Sequence, residues 1–140
     1  MTSRAEQSEG EIYSGMKLPT RAIQMSITKA RLFSLPNESF HTHDHLAQKI
    51  GLKVAAPQGL MAYGYLSQIA TEFFGPDWVQ GGELNVSFTN LLSRDDVLSV
   101  SGIVARIAPE NGRQRVELDI WVENERGDKV AVGQAIGFKG

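Results

Sequence analysis

The stretch NESFHTHDHLAQKIGL, residues 37–52, holds every histidine of the chain: His41, His43 and His45, with Asp44 among them. An imidazole titrates near neutrality, so a histidine here could take or give a proton at working pH. A metal site and a solvated helix start would use the same residue types. His41 and His45, four residues apart, would share a helix face as metal ligands do. No second group of histidines or acids with ligand spacing follows, so no transition metal is expected. The chain has no cysteine, which excludes disulfides, thiolate zinc sites and cysteine nucleophiles. No cofactor is implied.

The elements that must position this cluster are legible from periodicity. Residues 1–18 are rich in Ser, Glu, Gly and Thr and read as a loose N-terminal arm, with one domain over residues 19–140. RAIQMSIT alternates Ile23, Met25 and Ile27 with polar residues and reads as a first strand. Lys29 to Phe40 reads as a broken region, punctuated by LPNES. Thr42 or Asp44 is placed to cap a short helix that runs to Ile50 and ends at Gly51. APQGLMAYGYLSQIATEFFG is the long helix, entered at Pro57 and Gly59 and closed by Gly75-Pro76. It is apolar around most of its circumference, which predicts burial, and Gly64 would let another backbone come close. From Gly82 onward the period becomes two. Strands centred on Leu84 to Phe88, VLSVSGIVARI, QRVELDIWVEN and KVAVGQAIGF follow, the last three separated by the turns ENGR and NERGDK. A strand, a long helix and an antiparallel meander of four strands predict an α+β domain. One sheet wrapped around one buried helix is the hot-dog architecture.

Composition bounds the function. At 140 residues the chain can bury a core unaided, and 41% hydrophobic with 21% charged residues is ordinary for a globular domain. The formal charge of −2 carries no basic stripe, so no nucleic-acid partner and no anionic membrane surface is expected. No apolar run approaches the roughly 18 residues of a membrane span, and the polar N-terminus lacks a secretory signal. A cytoplasmic location is the expectation.

This order of elements and motifs resembles the MaoC-like dehydratase family, which includes R-specific enoyl-CoA hydratases. HTHDHLAQKIGL supplies the family's histidine at His41, its alanine at Ala47 and its glycine at Gly51. AAPQGLMAYGYLS is similar to the family's approach to the central helix, with Gly59 at the glycine position and Gln58 in place of a histidine. NVSFTNLLSRDDVLSVSG resembles a further segment, where Asp96 matches and Asp95 replaces a glycine; VENERGDKVAVGQA resembles the closing hairpin. The match spans residues 20–140. It departs at one place: the family's catalytic aspartate falls at Pro36, and the segment from Thr28 to His41 is shorter than usual. Asn37 and Glu38 are the polar residues nearest that vacancy.

The resemblance implies a lyase of acyl-CoA or carrier-linked acyl thioesters, a hydratase or dehydratase. His41 would be its base, and Gly59, at the start of the long helix, would open an oxyanion hole. Gln58, Asn37 and Glu38 are candidate substrate contacts. His43 and His45 read as solvated, and Arg94 as a solvated loop arginine. Two alternatives stand. Related hot-dog thioesterases place an acid early in the helix, but the first acid after Gly59 is Glu72, about 20 Å along. A non-catalytic acyl-thioester-binding subunit paired with a catalytic hot-dog chain would account directly for the absent aspartate. A homodimer or higher homo-oligomer is expected, because one curved sheet leaves an edge needing cover.

Overall fold

A computed structural model describes residues 11–140. The element order is β1 (Arg21–Gln24), α1 (Ile27–Ser34), α2 (Asp44–Gln48), α3 (Gly59–Phe74), α4 (Trp78–Gly81), β2 (Glu83–Phe88), β3 (Val97–Glu110), β4 (Arg113–Glu123) and β5 (Lys129–Lys139). The five strands form one antiparallel sheet in the order β1-β3-β4-β5-β2. Strict alternation explains how it buries one face. Val116, Leu118, Ile120 and Val122 of β4 are all buried, as are Leu98, Val100 and Val104 of β3. Against that face lies α3, contributing Met61, Ala62, Leu66, Ile69 and Ala70 to the same core.

The sheet corrects one expectation. The last strands are not a four-strand meander: β3, β4 and β5 form hairpins, whereas β2 pairs with β5 and occupies the edge. The β3–β4 hairpin closes through Asn111 and Gly112, at φ 50 and 78, the two positive angles a tight primed turn requires. At Gly133 of β5 an added Cβ would lie 2.4 Å from the carbonyl oxygen of Asn85 in β2. Gly133→Ala should therefore push the edge strand away and cost about 1–3 kcal/mol, read as a lower urea midpoint. An unchanged midpoint would mean that β2 does not pack there.

Four further differences have local causes. The first strand stops at Gln24, and Ile27 and Thr28, expected in that strand, join residues 29–34, expected as broken chain, to form α1, whose N-cap Ser26 accepts a hydrogen bond from the Lys29 N–H. Gly64 meets no neighbour; it lies on the exposed side of α3, so the helix is buried on one face only. Of the proposed N-terminal arm, residues 1–10 lie outside the described residues. Over 11–18 the chain follows β3, with Gly15 N–H bonded to Val104 O and Leu18 N–H to Gly102 O. Leu18 is buried in the core there. The short helix α4 was not foreseen; Trp78 at its start donates its ring N–H to Ile136 O. Among the described residues no helix is long and apolar enough to cross a membrane.

Candidate active site

The histidine segment is a set of tight turns ahead of α2. Thr42, buried, accepts the Ser39 N–H on its hydroxyl, and Ser39 Oγ accepts the His41 N–H. From α1, Arg31 donates to Thr42 O. Neither Thr42 nor Asp44 caps α2: the N-cap position is His43, with no side-chain cap bond. Asp44 instead accepts the Ala55 N–H at 2.8 Å and Arg94 Nη1 at 2.9 Å on one oxygen, Oδ1. Arg94 is thus held in an ion pair 27% exposed on its side, not solvated as expected. The Ala55 hydrogen bond, aided by the Arg94 charge and opposed by desolvation, holds the Asp44 carboxyl below its ordinary pKa. Whatever stability this adds is present above the ordinary carboxylate pKa and lost as pH falls through the lowered one.

His41 is oriented by the backbone. Its Nδ1 lies 2.8 Å from the carbonyl oxygen of Ala56. A carbonyl only accepts, so Nδ1 carries the proton, and in the neutral ring Nε2 keeps its lone pair. Ala56 is buried, and its own N–H returns to Phe40 O, so the acceptor is fixed from both sides. The ring of Phe40 lies 3.8 Å from that of His41, centroid to centroid.

A cleft of about 360 Å³ brings His41 together with Gln58 and Gly59, between apolar walls that include Phe88, Leu91 and Leu92. Gly59 and Leu60 begin α3, so their N–H groups have no carbonyl one turn earlier within the helix. The positive end of the helix dipole adds to their attraction for a developing oxyanion. A Cβ on Gly59 would lie 3.2 Å from Phe88 Cδ1. Gln58 spends its side-chain N–H on Ser34 Oγ at 2.7 Å, tying α1 to the start of α3. Among the described residues no carboxylate lines this cleft. Asn37 and Glu38 are exposed and do not line it either; Glu38 faces His43 Nε2 at 3.9 Å. His43 is half-buried and bonded to Thr42 Oγ1, while His45 is exposed. The His43 and His45 rings meet edge to face, 5.7 Å between centroids, while His41 lines the cleft; among the described residues no group of three or more His, Asp or Glu side chains could hold a metal.

A larger depression of about 700 Å³ lies on the outer side of the sheet, among Asn85, Asp119, Trp121 and Gln134, away from the histidines. It pairs no base with a helix start. The roles of Asp44 and the Ala56 carbonyl leave no spacing pattern in the sequence, because Asp44 bonds the Ala55 N–H and the distant Arg94, and His41 bonds a backbone carbonyl.

No family model matches the chain, and no curated protein matches its sequence. Solved structures do match. The R-hydratase PhaJ1 from Pseudomonas aeruginosa, unliganded, is similar at TM-score 0.75 and 22% identity, over 90% of this chain and 81% of that one. A MaoC-like dehydratase from Rhodospirillum rubrum is similar at TM-score 0.73 and 18% identity, over 92% and 94% of the two chains. A chain of the ChsH1-ChsH2 complex from Mycobacterium tuberculosis is similar at TM-score 0.72 and 18% identity, over 92% and 100%. At these identities the likeness establishes architecture: the chain is an α+β protein with the hot-dog fold of the R-hydratase and MaoC-like dehydratase structures.

Proposed function

We propose that the chain is a hydratase or dehydratase acting on CoA- or carrier-linked acyl thioesters. The observation that carries this reading is His41, whose Nδ1–H is held by Ala56 O, leaving Nε2 as a base in the cleft where α3 begins. In the hydration direction Nε2 takes a proton from water, and the hydroxyl adds to the β-carbon of an enoyl thioester. Negative charge moves to the thioester oxygen, where the Gly59 and Leu60 N–H groups meet it. The enolate then takes the proton back from Nε2 at its α-carbon. One imidazole serves both transfers, so the missing aspartate is not required to balance the reaction.

Gly59→Ala tests the oxyanion half. Phe88 is 53% exposed and free to turn aside, so stability should change little. The added methyl would crowd the thioester oxygen off the helix N–H groups and lower kcat/KM roughly ten- to hundredfold, toward the loss seen on removing one oxyanion donor. Unchanged kcat/KM in a folded variant would remove α3 from the mechanism.

A second reading has its own observation. The family's acid falls at Pro36, and among the described residues no carboxylate lines the cleft, as would suit an acyl-thioester-binding subunit that borrows catalysis from another hot-dog chain. Activity only in the presence of a second chain would favour it over the first.

In either reading we propose a homodimer or higher homo-oligomer. Edge strand β2 leaves one side unpaired, and Leu60, Phe88 and Leu91 are exposed beside the cleft. Sedimentation at micromolar concentration should give at least twice the chain mass; a monomer would contradict it.

A further inference from the structure

We infer that Asp44, clamped by Arg94, is the positioning residue that fixes which nitrogen of His41 is the base; its kinetic consequence rests on the hydratase reading above. The His41 ring is set by Ala56 O, and that carbonyl belongs to a connection with no helix or strand between α2 and α3. The Ala56 N–H bond to Phe40 O ties this connection to the histidine segment, and a second tether holds it on the side toward α2 and the β2–β3 loop. One residue earlier, the N–H of buried Ala55 is bonded to Asp44 Oδ1, and Arg94 Nη1 closes on the same oxygen. Three segments meet at that atom: the start of α2, the connection carrying Ala55 and Ala56, and the β2–β3 loop. That loop also supplies Leu91 and Leu92 to the cleft wall.

Catalytic histidines are commonly oriented by a carboxylate bonded directly to Nδ1–H. Here the carboxylate works at one remove, through the peptide that presents the carbonyl. Truncating Asp44 would strand a buried N–H and leave Arg94 only its longer contact to Asp95, at 3.7 Å. The connection would then relax, Nδ1–H would lose its acceptor, and the ring would redistribute toward the tautomer that carries its proton on Nε2. In that form Nε2 cannot accept a proton from water.

The test is the nitrogen NMR spectrum of the neutral His41 ring in the full chain labelled at histidine nitrogen, assigned with His41→Gln. In the wild type Nδ1 should be protonated and Nε2 bare. Asp44→Ala should move the ring toward Nε2–H and lower kcat on an enoyl-CoA about tenfold, with KM within about twofold. Asp44→Asn, which keeps an oxygen for the Ala55 N–H, should restore the wild-type tautomer. If Asp44→Ala fails to fold, Asp44→Glu is read instead. It keeps the charge for Arg94 but moves the carboxylate off the amide, and the same tautomer shift is expected. A folded variant of either kind with an unmoved His41 spectrum overturns the proposal, even if the wild type is an active hydratase. A wild type with no thioester turnover, but with the tautomer shift intact, upholds the clamp and sinks the hydratase reading instead.

Discussion

His41→Gln is expected to lower kcat/KM on a trans-2-enoyl thioester by roughly two to four orders of magnitude, the usual contribution of a positioned general base. The size follows from the cleft, where the described residues offer no second imidazole and no carboxylate to take over the proton. Glutamine fills similar space and can still donate to Ala56 O, so the fold should be kept while the basic nitrogen is lost. His43→Ala and His45→Ala should change the rate little, because the first ring is spent on Thr42 and the second is exposed. Glu38→Gln should also have a small effect, since Glu38 faces His43 and does not line the cleft. Turnover that survives His41→Gln would place the chemistry elsewhere.

Leu66→Ala should destabilise the chain by about 3 kcal/mol, within the range for a fully buried leucine whose cavity cannot collapse. Leu66 is 0% exposed and sits on the inner face of α3 within the core shared with the sheet. A strand cannot readily move in to fill the gap, because β3, β4 and β5 are locked to one another by their ladders. Urea unfolding at fixed protein concentration reads the change as a shifted midpoint with the slope preserved. A loss below about 1 kcal/mol would show that α3 is loosely seated, and with it the N–H groups of Gly59 and Leu60.

What was legible in the sequence was local. The period of two in β4 identified all four of its buried residues, and Gly75, at φ 90, stopped α3 where its position suggested. Helix α1 was hidden because its apolar residues do not form one stripe: Leu32 and Phe33 remain exposed, and the following LPNES dominates the local signal. Strand order was hidden for another reason. Alternation declares a strand but not its neighbour, and β2 reaches β5 across two intervening strands of sequence. Gly133 held the clue in its need to lie bare against Asn85 O, yet a lone glycine has several ordinary readings. At the site, His41 and Gly59 came from the resemblance, and the structure brings them to one cleft. The contact from Asp44 to Arg94 joins residues 50 positions apart and has no sequence signature.

The proposed hydratase activity requires that this chain by itself add water to an enoyl thioester. The direct measurement incubates the purified chain alone with short- and medium-chain trans-2-enoyl-CoA and follows each product by mass spectrometry, with binding of the saturated acyl-CoA measured in parallel. Conversion of at least one substrate to the 3-hydroxyacyl thioester, one water heavier, is expected, at a rate that falls with His41→Gln. Saturated acyl-CoA that binds while every enoyl-CoA returns unchanged would contradict it, and would leave the chain as a thioester-binding subunit.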